Sequence, residues 1–251
     1  MDIENRYGAL DNQIKLLEMM KDIHRFFTNH HIVYSLAGGN LLGAVRENGF
    51  IPWDDDCDIV MDRDNFEKFL SVKDEIDGYV AVRMLWEYRI QRKEDYDGTL
   101  TGLTIDIVVM DKVPRSRIKQ SFKLLVVRFL QGAMKRHKCY HDKKHSFPER
   151  VSLFVTYYVG KLFSDETKFK WYDKVSQIGR NDEAVNLEMY DTLFKYLPRK
   201  FVINLMDKMI MHPYEDTEFP ITAEYDNYLR NIYGDDYMTP PPIEERVPQH
   251  S

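Results

Sequence analysis

The chain has 251 residues, 43% of them hydrophobic and 13% aromatic, enough for one sizeable domain with an appended subdomain and too apolar for a disordered or fibrous protein. Its 35 Lys and Arg against 41 Asp and Glu give a formal net charge of -6, which excludes a protein whose whole surface grips a polyanion and leaves room only for a local basic grip. Cys57 and Cys139 are too few for a disulfide scaffold and fit free thiols in a reducing setting. The N-terminus lacks the basic start and apolar run of a signal peptide, and no stretch approaches the roughly 20 apolar residues of a membrane span. The expectation is a cytoplasmic protein, attached at most to a membrane face.

In chain order, Leu16, Leu17, Met20, Ile23 and Phe27 recur at helical steps and predict an amphipathic first helix. The β-prone run Ile32 to Ala37 predicts a buried strand ending at Gly38-Gly39, where the backbone can take positive φ or approach a ligand closely. A short helix follows from a cap at Asn40, stopped by Asn48-Gly49. After Phe50-Ile51-Pro52-Trp53 and the acidic run Asp54 to Met61, a helix begins near Asp62 with Phe66, Phe69 and Leu70 inward. Strands are predicted at Val80 to Leu85, Tyr88 to Gln91 and Leu103 to Met110, so the first half reads as α+β. From Pro114 the pattern turns helical, with apolar faces at Phe122, Leu125, Val126, Phe129 and Leu130, then at Leu153, Phe154, Tyr157, Tyr158 and Phe163. Pro240-Pro241-Pro242 predicts a stiff segment close to the C-terminus.

The acidic run carries the chemistry. Side chains alternate across a strand, so Asp56 and Asp58 project from one face while Cys57 and Ile59 take the other. Two adjacent carboxylates repel each other and resist burial, so their pairing makes sense with a hard cation such as Mg²⁺, which takes oxygen ligands from carboxylates, water and phosphates. Asp106, alone at the centre of the apolar run Leu103 to Val109, is the candidate third carboxylate, the number needed if two ions are to clamp a phosphoryl transfer. Exposed N–H groups beside Gly38, Gly39 and Asn40 offer a phosphate cradle, and Arg46 a bidentate phosphate contact. Asp54 and Asp55 rank behind as substrate contacts, and Trp53 is the nearest aromatic to the cluster.

Gly38 to Arg46, followed by Gly49 to Ile59, resembles the signature of the LicD family of phosphocholine transferases, related to the fukutin-type ribitol-phosphate transferases. The likeness is dense from Ala37 to Phe69, thinner through Ile105-Asp106-Ile107, and returns at Tyr225 to Tyr237 and Arg246-Val247-Pro248. It implies a nucleotidyltransferase fold like that of DNA polymerase β: a mixed sheet with flanking helices as a catalytic core over residues 1–112. Residues 113–251 would form a mainly helical region facing acceptor or membrane, with the C-terminal segment returning to the core. It further implies Mg²⁺, in two copies, held by Asp56, Asp58 and Asp106, with Asp106 also serving as general base. The implied donor is a CDP-alcohol, CDP-choline first, whose phospho-alcohol passes to a sugar hydroxyl of a glycan or its lipid-linked precursor with release of CMP. A CDP-ribitol-type donor, or transfer of NMP to a small molecule or RNA with pyrophosphate release, are the alternatives; a nucleic-acid partner is not favoured. Asn40, Glu47 and Cys57 depart from the family's usual Thr, His and Ile.

A choline head group would favour an aromatic cage, for which Trp53, Tyr140, Trp171 and Tyr172 are candidates. His250, near Arg246 in the chain, is a candidate to close over the site. Finally, residues 115–144 hold ten Lys and Arg against the single acidic Asp142, interleaved with apolar residues, the composition of a basic amphipathic helix that can lie on an anionic membrane.

Overall fold

The computed structural model describes residues 8–98, 102–135, 146–189, 197 and 199–246. Cys139, Tyr140, His250, Val247-Pro248 and the basic residues Arg136, Lys138, Lys143 and Lys144 lie outside them. The chain forms two compact units, residues 1–82, 88–110 and 204–251 in the first and 83–87 with 111–203 in the second.

The first unit begins with helix α1, Leu10–Asn29, in which Leu16, Met20, Ile23 and Phe27 are buried as predicted, Leu17 is only partly buried and Met19 joins the buried face. Strand β1 (Ser35–Leu36), helix α2 (Gly38–Glu47), strand β2 (Cys57–Asp62) and helix α3 (Arg63–Val72) follow. Strands β3 (Tyr79–Met84), β4 (Glu87–Arg92) and β5 (Thr104–Lys112) complete a sheet path in the order β1-β2-β5-β4-β3. β1 is antiparallel to β2, β2 parallel to β5, and β5 antiparallel to β4, so the sheet is mixed. The parallel pair arises because α3 and the β3–β4 hairpin carry the chain back before β5 enters. β1 is shorter than the run Ile32 to Ala37 suggests, because the Val33 N–H donates to the Asn65 side chain at 2.8 Å instead of to a ladder partner. α3 is capped by Asp62, which accepts from the Asn65 N–H at 2.7 Å.

Residues 204–246 add a hairpin, β8 (Met209–Tyr214) and β9 (Thr217–Thr222), and helix α7 (Tyr225–Tyr233); β6 (Asn186–Met189) and β7 (Lys200–Val202) belong to the second unit. The Thr222 N–H donates to Ser35 Oγ at 2.9 Å and ties the hairpin to β1. Beside this join His24 accepts or donates at Nδ1 to the Tyr34 hydroxyl at 2.9 Å and stands edge-on to Phe219. Burial holds the His24 imidazole below the ordinary histidine pKa. Its neutral form is therefore favoured in the folded chain, a contribution present above the unfolded pKa of about 6.5 and lost as pH falls through the lower folded value. His24→Phe, which keeps the ring, is expected to flatten the fall in melting temperature between pH 7 and about pH 5.

The second unit carries α4 (Arg117–Met134), α5 (Phe147–Gly160), α6 (Asp165–Ser176) and the antiparallel pair β6 (Asn186–Met189) and β7 (Lys200–Val202). Its core gathers Trp86, Val127, Leu130, Met134, Tyr172 and Leu197. α4 and α5 approach closely because Gly132 faces Thr156 and Gly160 faces the backbone of Ala133, positions where a Cβ would collide. Lys123 is wholly buried; its ammonium pairs with Glu188 at 3.0 Å and donates to the Lys112 carbonyl at 3.1 Å. The helical reading of this region therefore holds for α4 to α6, with short strands that the pattern did not indicate.

Candidate active site

β2 delivers Asp58 and β5 delivers Asp106 as direct partners across the parallel pair. Cys57 and Ile59 are buried while Asp58 is partly open, as alternation demands, and Asp56 stands just before β2 begins. The buried Cys57 thiol is pushed up by burial and then by the charges of Asp58, Asp56, Asp106 and Asp54, so four carboxylates act on one point.

Gly38 and Gly39 make room for them. Gly38 takes φ +51°, and a Cβ there would stand 2.6 Å from Asp58 Oδ2; a Cβ on Gly39 would overlap Asp54 Oδ2. Gly38→Ala combines left-handed strain of about 1–2 kcal/mol with displacement of Asp58. Gly78→Ala is the control, since Gly78 also has positive φ, +75°, but open space around its Cβ position. Both variants are expected to lose a few degrees of melting temperature, and only Gly38→Ala to lose most of its turnover.

Asn40 is not the helix cap; α2 starts at Gly38, and the cap position is Ala37, three residues before Asn40. Instead Asn40 is buried, and its side chain locks the acidic strand: Oδ1 accepts from the Asp58 N–H at 2.6 Å, and Nδ2 donates to the Tyr214 hydroxyl at 3.2 Å and the Asp56 carbonyl at 3.5 Å. The loop between α2 and β2 is fixed from two sides. Gln13 donates to the Ile51 and Asp54 carbonyls at 3.0 and 2.8 Å, and Glu215 accepts from the Phe50 N–H at 2.9 Å. Tyr228 of α7 lies 3.3 Å from the Gly38 nitrogen through its hydroxyl, which accepts that N–H.

The carboxylates differ in setting. Asp54 is pushed up to about 8, by burial first and then by the adjacent Asp56, and its Oδ2 is buried with no hydrogen-bond partner. Asp55 is buried, at 4% exposure. Asp106 Oδ1 accepts from Thr104 Oγ1 at 2.7 Å, and its Oδ2 pairs with Arg89 at 3.0 Å, Arg89 being its cross-strand neighbour on β4.

Arg46 sits on the last turn of α2 and is nearly buried. Its Nε pairs with Glu47 at 2.7 Å, Nη1 donates to the Tyr237 carbonyl at 3.4 Å, and Nη2 is buried without a hydrogen-bond partner. Its guanidinium carbon lies 5.9 Å from the centre of the Trp53 ring, and that of Arg246 lies 5.1 Å from the same centre. Two cations therefore share one indole. Of the other cage candidates, Tyr172 is fully buried with its hydroxyl accepting from Gln131 at 3.1 Å, which rules out an open cage wall, and Trp171 packs edge-on to Phe163.

Among the described residues no group of three Asp, Glu, His or Cys side chains is arranged to hold an ion unaided. The donor set nonetheless fits Mg²⁺, which commonly takes only one or two protein carboxylates and completes its shell with water and phosphate. The orphaned buried Oδ2 of Asp54 and the acidic crowding around Cys57 are the features a hard cation would relieve.

Residues missed by sequence reading are Gln13, Arg89, Tyr214, Glu215, Tyr228 and Arg246 as a stacking partner. Arg89 carried a usable local signal, since it is a cation on a strand predicted beside that of Asp106, and Tyr228 and Arg246 lie in the two C-terminal segments that resemble the family.

A mixed sheet presenting acidic residues from adjacent parallel strands beside a glycine turn is the architecture of a nucleotidyltransferase domain, and residues 31–153 match the family profile described as LicD/FKTN/FKRP, nucleotidyltransferase domain. The chain belongs to the LicD/FKTN/FKRP family. It is similar to lipopolysaccharide cholinephosphotransferase LicD of Haemophilus influenzae, 25% identical over 96% of this chain and 95% of that protein. Shorter matches of 46 residues at 50% identity connect it to uncharacterised proteins of Rickettsia prowazekii and Rickettsia typhi, covering 17% and 15% of those chains.

Proposed function

We propose that this chain transfers a phospho-alcohol, phosphocholine from CDP-choline, to a sugar hydroxyl of a glycan or its lipid-linked precursor, releasing CMP. The observation that carries this reading is the register pairing of Asp58 with Asp106, beside the Asp54–Asp56 loop and the Gly38-Gly39 turn, in a chain related end to end to a cholinephosphotransferase.

Asp56, Asp58 and Asp106 would hold Mg²⁺, which when bound supplies charge neutralisation at the donor's phosphates and at the leaving CMP oxygen. The chain's own groups do the rest. Of the first-turn N–H groups of α2, that of Gly38 is taken by the Tyr228 hydroxyl, and those of Gly39 and Asn40, without intrahelical acceptors, would meet the donor's phosphates. Arg46, with one nitrogen still unpaired, and Arg246 add positive charge around Trp53, so Trp53 backs an anion site and the choline wall lies elsewhere. Asn40 and Gln13 hold the acidic loop in place, so little rearrangement accompanies the reaction. Asp106 takes the acceptor's proton once Arg89 yields its oxygen.

Incubating the full chain with Mg²⁺, CDP-choline and a glycan acceptor, and separating the nucleotides, tests this directly. CMP release coupled to a phosphocholine-bearing acceptor is the expected result. CMP release with CDP-ribitol only would reassign the donor, and pyrophosphate release from nucleoside triphosphates would overturn the reaction class.

A further inference from the structure

Of the apolar face that helical spacing picks out on α4, the structure buries Leu130 and packs Val126 against the core but leaves Phe122, Leu125 and Phe129 exposed. Core packing uses Lys123, Val127, Leu130 and Met134, while Ile118, Phe122, Leu125 and Phe129 form a second stripe, in steps of four, three and four, on the opposite side. This stripe is open to solvent, with Ile118 at 82% and Leu125 at 68% exposure. α5 repeats the pattern: Phe147, Val151, Phe154 and Tyr158 follow the same steps and are exposed, Phe147 at 78%, whereas Thr156, Tyr157 and Gly160 are buried. Leu162, one turn beyond, is 76% exposed. Singly exposed apolar residues need no explanation, but matched stripes on two packed helices do.

Charge identifies the occupant. α4 contains no acidic residue and α5 only Glu149, while Arg117, Arg150 and Lys161 are exposed within or just beyond these helices; Lys119, also exposed, is paired with Asp182 at 3.4 Å. In a chain of net charge -6 this is a concentrated basic rim around an apolar surface. A second copy would bring like charge against like, whereas an anionic lipid surface complements both the rim and the stripe. No helix among the described residues is long and apolar enough to cross a membrane, so the contact is with one face of the bilayer.

We propose that the exposed stripes of α4 and α5 are a docking surface for an anionic membrane interface, entered by Ile118, Phe122, Leu125, Phe147, Val151 and Phe154. This surface stands independently of the reaction assigned to the first unit. The full chain is tested by flotation with vesicles of phosphatidylcholine alone and of phosphatidylcholine mixed with phosphatidylglycerol. Binding is expected to the mixed vesicles, weakening as salt is raised. Phe122→Glu combined with Leu125→Glu is expected to weaken it about tenfold or more, with the melting temperature unchanged because both side chains already face water. Arg117→Ser with Arg150→Ser removes the salt-sensitive part and serves as a second variant that spares the apolar stripe. Absence of vesicle binding, or binding indifferent to both pairs of substitutions, would overturn the proposal. So would a stable dimer in sedimentation equilibrium that Leu125→Glu dissociates, since the stripes would then be a self-interface.

Discussion

Asp58→Ala is expected to lower the rate of phospho-alcohol transfer by several powers of ten, on the order seen when a group that acts mainly in the transition state is removed, while the chain remains folded. Asp58 is the member of the acidic set with the most constraints. β2 places it opposite Asp106, Gly38 leaves space for its carboxylate, and Asn40 holds its backbone. None of these contacts needs the carboxylate for stability. Removing one negative charge from a crowded acidic set also relieves repulsion, so the melting temperature without Mg²⁺ is expected to hold or rise. In the parent chain Mg²⁺ should raise the melting temperature by mass action, and in Asp58→Ala that rise should vanish. A variant that unfolds, or one that keeps normal turnover, would separate Asp58 from the chemistry.

Lys123→Ala has the largest expected effect on stability. Its ammonium is fully buried against Glu188, so truncation strands a buried carboxylate at a cost of about 3–5 kcal/mol. In a chain of this length that corresponds to a melting-temperature loss on the order of 10 °C. Replacing both partners, Lys123→Met with Glu188→Leu, removes the stranded charge and is expected to recover most of the loss. If the single and double variants melt together, the pair is not a coupled unit.

Lys123 also shows where sequence reading stops. Counted with its neighbours it belongs to a basic helix face, yet the structure buries it, and Glu188, which makes that possible, lies 65 residues away in the chain. Spacing likewise locates the apolar stripe of Phe122, Leu125 and Phe129 but says nothing about which side of α4 meets the core. By contrast, α1 and the segment from Gly38 to Asp62 were legible, because glycine, alternating acidic residues and a helix stop each leave a local mark. The β8–β9 hairpin was hidden because Pro213 and Pro220 interrupt its strands, and prolines argue against a ladder when read locally. Asn40 was legible as a polar residue beside the turn, but its grip on the Asp58 N–H depends on a strand 18 residues away.

The central claim is that carboxylates from the Asp54–Asp58 segment and from β5 jointly bind a divalent ion that a cytidine nucleotide completes. Crystals grown with Mn²⁺ and CMP test it through anomalous scattering. A manganese peak in contact with Asp58 and at least one of Asp56 and Asp106, with a CMP phosphate oxygen in the same shell, is the predicted result. Bound CMP with no anomalous peak at these carboxylates, and Asp106 still paired with Arg89, would contradict it.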